Sequence, residues 1–167
     1  MHNYIELRRK REIKMSVEDV KQYFREKQLD YKVQELEEST ATVTLAAKAL
    51  GVEPALIAKT LSFKLKDNHS ILLVTKGDAR IDNQKFKQCF KVKAKMLKPE
   101  EVLAVTGHSI GGVCPFGLKN DLSIYLDQSL QDFEYVFPAA GSGNSFIKIT
   151  PEALHQITKS TWVDVCK

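Results

Sequence analysis

Residues 59–66 read KTLSFKLK, and the alternation in this stretch decides the class of fold. Leu61, Phe63 and Leu65 share one parity, and polar residues fill the positions between them. Because successive side chains of a strand point to opposite faces, the pattern predicts a β-strand with one apolar face. Lys59 has the parity of the apolar residues, so we expect its side chain to point inward at the start of the strand.

Further strands are predicted around this one. Residues 70–78 (SILLVTKGD) are apolar at both parities, which is typical of a central strand. Residues 91–96 (KVKAKM) alternate, which predicts an exposed strand with its lysines outside. Shorter runs predict strands over residues 30–36, 122–127, 133–137, 146–149 and 162–166, with a turn over 139–145.

Helices are predicted from apolar spacing and from capping residues. Ser16 is expected to cap a helix that carries Val17, Val20 and Phe24 on one face. Other expected helix boundaries are a stop at Gly51, a cap at Asp82, a start at Pro99 closed by Gly107, and a cap at Thr150 before Pro151. Strands outnumber helices and their order is irregular, so we expect an α+β fold around a mixed, curved sheet.

The composition is that of one globular domain without a membrane segment. The chain has 167 residues, of which 43% are hydrophobic and 28% charged, and it contains no apolar run long enough to span a membrane. Its three cysteines, Cys89, Cys114 and Cys166, are odd in number and form no C-x-x-C pair. This cysteine usage favours a reducing cytoplasm.

The first fourteen residues differ in charge from the rest. They hold five Lys or Arg against two Glu, so residues 15–167 carry a net charge near +1 out of the total of +4. We expect residues 1–14 to be a basic N-terminal extension and residues 15–167 to be a single domain. The shortness of the extension favours a solvated tail over a phosphate contact.

A glycine-rich stretch, TGHSIGGVCPFG at residues 106–117, predicts a shaped loop with exposed amide groups. A cation such as Lys59 opposite such a loop makes a site for a phosphate or a developing oxyanion. Cys114 is a second candidate, as a nucleophile with His108 as its base. No acid is available to orient such a pair, so the sequence favours an apolar filler role for Cys114.

Several other chemistries are excluded by absent motifs. The chain has no G-x-S-x-G, P-loop or H-E-x-x-H sequence. Its four histidines, His2, His69, His108 and His155, lack the spacing of metal ligands. We therefore expect neither a metal nor a cofactor.

Three segments together carry a resemblance to a known family: IAKTLSFK (57–64), TGHSIGGVCPFGLK (106–119) and FPAAGSGNSFIKITPEAL (137–154). In this order and spacing they resemble the YbaK/ProX family of aminoacyl-tRNA deacylases, which is related to the editing insertion domain of bacterial prolyl-tRNA synthetases. The resemblance covers residues 16–167. It implies a barrel-like mixed sheet flanked by helices, and hydrolysis in trans of the ester that joins a wrong amino acid to tRNA.

The resemblance also assigns site residues. The family's pocket lysine falls on Lys59, and its substrate-binding loop falls on Gly111, Gly112 and Pro115. Under this assignment the loop amides of Gly111 and Gly112 hold the aminoacyl carbonyl, and Lys59 fixes the terminal phosphate or the carbonyl region. His108, Gly141 and Asn144 are expected to contribute to the same substrate-binding site.

Two departures leave the substrate open. Some members carry an aspartate where this chain has Phe146, and others carry a histidine where it has Asn144. The amino acid is therefore cysteine, alanine or another small residue mischarged on proline tRNA. The departures also leave open a non-catalytic module that binds aminoacyl-tRNA or a synthetase, and a Cys114-dependent thiol hydrolase remains a third alternative.

The expected partners are mischarged tRNA, with proline tRNA foremost, and prolyl-tRNA synthetase. Lys91, Lys93 and Lys95 belong to the densest basic segment of the domain, and each phosphate they neutralise would add salt-sensitive affinity. They either contact the acceptor stem or form a solvated strand face, and the sequence supports the two interpretations equally.

Overall fold

The computed structural model describes residues 2–167 and shows an α+β fold. Its helices are α1 (His2–Glu26), α2 (Val43–Leu50), α3 (Asn83–Phe90), α4 (Pro99–Thr106) and α5 (Pro151–Thr158). Its strands are β1 (Gln34–Glu35), β2 (Ile57–Lys64), β3 (Ser70–Lys76), β4 (Ser123–Asp127), β5 (Phe137–Pro138), β6 (Ser145–Phe146) and β7 (Thr161–Val163). Short 3-10 turns occupy Pro54–Leu56, Lys66–Asn68 and Gln128–Asp132.

The main sheet is mixed, as the sequence predicts. Its strand order is β5-β2-β3-β4-β7; β2 and β3 are antiparallel, and the other neighbours are parallel. β3 is central, and Ile71, Leu72, Leu73 and Val74 are fully buried at both parities. The sheet ends at β5 and β7, so it is open and does not close into a barrel. A separate pair is formed by β1 and β6.

The two faces of the sheet bury different clusters. Val74 and Leu126 pack with Phe24 of α1 and Phe116 of the glycine-rich loop. On the other face Phe63, with Leu61 and Leu65, packs on α3, and Ile57 packs on α2. The predicted caps that begin and end the helices are confirmed at Gly51, Asp82, Gly107 and Thr150. Thr42, which was not predicted, caps the start of α2.

The expected cap at Ser16 is wrong, because α1 begins much earlier. The helix runs without a break from His2, and residues 2–11 are exposed. Pairs at i,i+4, Arg8 with Glu12 and Lys10 with Glu6, favour helix in this part. Met1, the first residue of the predicted extension, lies outside the described residues.

Several predicted strands are shorter than their alternation suggests. Only Gln34–Glu35 forms a strand within 30–36, only Phe137 within 133–137, and only Phe146 within 146–149. Residues 91–96 keep the alternation of exposed lysines but run as an extended segment with a single bridge, Phe63 to Met96. The last strand ends at Val163, and Cys166 makes only an isolated bridge. The alternation of apolar and polar residues indicates which side of a segment is buried. A β-strand also requires a neighbouring segment with which its main chain can pair.

Candidate active site

A cleft of about 430 Å³ lies at the edge of β2. β5 pairs only with Ile57 and Ala58, and the next contact along this edge is between Ser62 O and Leu97 N, 3.0 Å apart. Main-chain groups two residues apart in a strand point to the same side, so the N–H and C=O of Thr60 face this opening. Residues from α2, from segment 96–102, from loop 110–113 and from the β6 region complete the walls.

Lys59 lines the cleft and is held by main-chain carbonyls. Its Nζ donates a hydrogen bond to the carbonyl oxygen of Gly77 at 3.0 Å and another to that of Ala79. Burial lowers the pKa of this ammonium group from its usual value. An ammonium group has three N–H donors, so one is left for a ligand.

Gly111 also lines the cleft, at the tip of the glycine-rich loop. The tip is a β-turn in which the Gly112 N–H donates to Ser109 O at 3.0 Å, and Gly111 has φ +90°. Such a φ favours glycine. Nothing among residues 2–167 accepts a hydrogen bond from the Gly111 N–H.

Gly112 holds the glycine-rich loop in shape. Its N–H is therefore not free for the expected role, which was to donate a hydrogen bond to the aminoacyl carbonyl of the substrate. Its N–H is engaged with Ser109, and its carbonyl accepts a hydrogen bond from Gly141 N at 3.1 Å. A Cβ at Gly112 would lie 2.5 Å from Ser142 N, so only glycine lets the two loops approach.

Three other predicted contacts lie away from the cleft. Gly141, at φ +100°, packs against the main chain of Ser16, where a Cβ would lie 2.6 Å from the Ser16 carbonyl oxygen. Asn144 donates from Nδ2 to Leu36 O at 2.7 Å and accepts from the Ser142 hydroxyl. Pro115 is buried and borders a different groove, on the other side of the loop. We therefore assign these residues to shaping the loops.

His108 is fully buried, and both of its ring nitrogens are engaged. Nε2 lies 2.7 Å from the Phe116 carbonyl oxygen, and Nδ1 lies against the Ser16 hydroxyl. Since a carbonyl only accepts, Nε2 carries the proton and Ser16 donates to Nδ1. Burial lowers the pKa of His108. Its expected contact with substrate is therefore replaced by a structural contact inside the core.

Cys114 is likewise enclosed in the core. Its sulfur lies 3.5 Å from His108 Nε2, and its side chain is fully buried. Burial raises the pKa of this thiol to about 12. A thiol that stays protonated and does not line the cleft is a poor nucleophile, so the geometry favours the filler role.

Thr60 is a cleft residue that the sequence analysis missed. Its Oγ1 is buried and has no hydrogen-bond partner among residues 2–167. Its parity is opposite to that of Lys59, which suggested an outward side chain. The cleft lies at the edge of the strand rather than over one face, so residues of both parities line it.

The basic segment runs beside the cleft. Lys91, Lys93 and Lys95 are exposed, and the next residues, Met96 and Leu97, line the cleft. Among residues 2–167, no group of three or more His, Cys, Asp or Glu side chains is placed to hold a metal ion. Within the same range, no helix is long and apolar enough to span a membrane.

Comparison with known proteins identifies the family. Residues 37–157 match the model of the aminoacyl-tRNA editing domain. The chain belongs to this family. Family membership makes the protein an aminoacyl-tRNA deacylase, a hydrolase, of the YbaK/ProX type that the sequence motifs indicated.

Individual relatives agree with this assignment. YwhH of Bacillus subtilis, an uncharacterized protein, is 51% identical over 92% of this chain and 98% of its own length. EbsC of Enterococcus faecalis, whose name proposes a Cys-tRNA(Pro)/Cys-tRNA(Cys) deacylase, is 28% identical over 71% of this chain and 73% of its own. A crystal structure described as a candidate trans-editing enzyme for prolyl tRNA synthetase has a TM-score of 0.84 and 31% identity, covering 91% of this chain and 97% of that one.

Proposed function

We propose that this protein hydrolyses, in trans, the ester of a small amino acid mischarged on proline tRNA, with cysteine and alanine as the leading candidates. The observation that carries the proposal is the cleft itself, in which Lys59 and Gly111 lie among apolar residues. A volume of about 430 Å³ is in the range of small-molecule sites. The names of EbsC and of the related crystal structure support the choice of substrate.

The chemistry requires positioning more than a strong nucleophile. A water molecule attacks the aminoacyl carbonyl carbon, the bond from that carbon to the ribose oxygen breaks, and the ribose oxygen takes up a proton. The vicinal ribose hydroxyl already activates this ester and can assist the water. The enzyme then has to orient the reactants and stabilise the oxyanion.

Two groups of the cleft fit these tasks. In this proposal the free N–H of Gly111 donates to the carbonyl oxygen as it becomes negative, and the remaining N–H of Lys59 holds either the terminal phosphate or the carbonyl region. Each such preorganised donor contributes on the order of a hundredfold in rate.

The remaining parts of the proposal concern the partners. Lys91, Lys93 and Lys95 contact tRNA phosphates beside the cleft, and prolyl-tRNA synthetase assists delivery, because a domain near neutrality binds tRNA weakly. The reaction takes place in the cytoplasm, where tRNA is charged. Residues 15–167 form the deacylase domain, and residues 1–14 extend it at the N-terminus.

A panel of charged tRNAs tests this function. Purified protein is mixed with Cys-tRNA(Pro), Ala-tRNA(Pro), Pro-tRNA(Pro) and Cys-tRNA(Cys), and release of the amino acid is followed. We expect release from one or both of the mischarged proline tRNAs and little release from Pro-tRNA(Pro). Binding of the mischarged tRNAs without release of any amino acid would instead favour the non-catalytic module.

A further inference from the structure

Exposed large apolar side chains are unevenly distributed in this protein. Among residues 2–167 they fall in α1 (Tyr4, Ile5 and Leu7), on α2 (Leu45), at the cleft (Met96 and Ile110) and at Tyr135. Met96 is 54% exposed and Ile110 is 61% exposed, yet both line the cleft. They therefore lie at its margin, with one face toward the opening and the other toward solvent.

The two side chains come from different elements. Met96 belongs to the extended segment that pairs with the end of β2, and Ile110 is part of the β-turn at the tip of the glycine-rich loop. Leu97, next to Met96, is buried and fixes the segment. The margin is therefore built by two elements of the wall rather than by one flexible side chain.

Cations lie on both sides of Met96 along the chain. Lys93, Lys95 and Lys98 are all exposed. Among residues 2–167 no carboxylate lies within salt-bridge distance of these three ammonium groups. Proteins hold single-stranded nucleic acid with cations on the phosphates and with flat contact surfaces, most often aromatic, on the bases. Met96 and Ile110 offer an apolar contact surface beside such cations.

We propose that Met96 and Ile110 form an apolar clamp for the base that precedes the terminal nucleotide of the substrate, with the flanking lysines on the adjoining phosphates. The clamp rests on the proposed function: the ester is at the 3′ end of a single strand, so a terminal nucleoside in the cleft leaves the preceding base at its margin. A thioether packs well on an aromatic ring, and an aliphatic side chain can cover the other side. Such contacts accept any base.

The test compares two substrates that differ only in the nucleotides before the ester. Hydrolysis of aminoacyl-tRNA and of the corresponding aminoacyl-adenosine is measured for the wild type, Met96→Ala and Ile110→Ala. Leu45→Ala is the matched control, because Leu45 is an exposed apolar residue of α2 that does not line the cleft. We expect each clamp variant to lower the ratio of kcat/KM between aminoacyl-tRNA and aminoacyl-adenosine by about five- to tenfold, and the control to leave it unchanged.

An equal loss on both substrates, or no loss on either, would overturn the clamp. If the wild type hydrolyses neither substrate, the proposed function fails while the clamp can still be tested. In that case binding of an uncharged CCA trinucleotide is compared with binding of adenosine. The clamp requires the wild type to prefer the trinucleotide and both variants to lose that preference; a wild type without the preference refutes it.

Discussion

The Ser16 hydroxyl donates a hydrogen bond to Nδ1 of His108, and through it α1 holds the loop that carries Gly111. The other nitrogen of His108 donates to Phe116 O within the same loop. The ring thus joins the helix to both ends of the turn that forms one wall of the cleft. Because the ring is fully buried, water cannot replace either contact.

Ser16→Ala is expected to lower the free energy of unfolding by about 1–3 kcal/mol, because His108 Nδ1 would be left buried without a donor. Urea unfolding followed by circular dichroism measures this. Ser129→Ala is the matched control, since the buried Ser129 Oγ has no partner among residues 2–167 and its removal breaks no hydrogen bond. Equal effects of the two substitutions would contradict the role given to Ser16.

Acid is expected to weaken the fold through His108. Its pKa in the folded protein is below the ordinary value of 6.5, so below pH 6.5 the unfolded chain binds a proton that the folded chain does not. Stability is therefore retained above pH 6.5 and falls as the pH drops toward the folded pKa. His108→Gln, which keeps a donor for Phe116, is expected to be less stable at pH 7.5 but to lose less stability between pH 7.5 and 5.5. If the difference in free energy of unfolding between the wild type and His108→Gln is the same at pH 7.5 and at pH 5.5, His108 does not cause the loss of stability in acid.

Gly112→Ala is expected to destabilise the protein by several kcal/mol or prevent folding, because its Cβ would lie 2.5 Å from a main-chain nitrogen. Gly51→Ala serves as the comparison: nothing lies within 4 Å of a Cβ there, and only the cost of its φ of +66°, about 1 kcal/mol, is expected. Thermal unfolding of both variants shows the difference. A mild effect at Gly112 would mean that the two loops are not in close contact.

Replacing Lys91, Lys93 and Lys95 together by alanine is expected to weaken tRNA binding and flatten its dependence on salt, because fewer counterions are released. Each lost phosphate contact lowers the slope of log K against log salt by about 1. Filter binding over a range of salt concentrations measures this. The control replaces Lys27, Lys119 and Lys159, which border the groove on the other side of the glycine-rich loop. If both triple variants have the wild-type slope, the basic segment is only a solvated surface.

The sequence predicted the sheet and the position of Lys59 through one rule, the alternation of strand side chains. Leu61 and Phe63 do pack on one cluster, and Lys59 shares their parity opposite Thr75. The same rule failed for Thr60, because the cleft opens at an unpaired strand edge that no periodicity marks. The rule also predicted a strand over residues 91–96, where the structure has an extended segment with a single bridge. Strand pairing depends on a neighbour that is remote in sequence, which alternation does not show.

Glycines were the other source of error in the candidate site. The family resemblance assigned the amides of both Gly111 and Gly112 to the aminoacyl carbonyl, whereas the second glycine lies against Gly141 and the main chain of Ser142. A glycine that exposes its amide and one that permits close packing look alike in a sequence. Only the contacts across the two loops distinguish them.

The most direct test of the account measures the release of the amino acid from one mischarged proline tRNA by the wild type, Lys59→Ala, Cys114→Ser and Lys64→Ala. Lys64 is the control, because it lies on the same strand but pairs with Glu101 outside the cleft. Circular dichroism checks that each variant is folded. We expect Lys59→Ala to lower the rate by one or more orders of magnitude, and the other two variants to stay near the wild type. Full activity of folded Lys59→Ala, or loss of activity in folded Cys114→Ser, would contradict catalysis by positioning in this cleft.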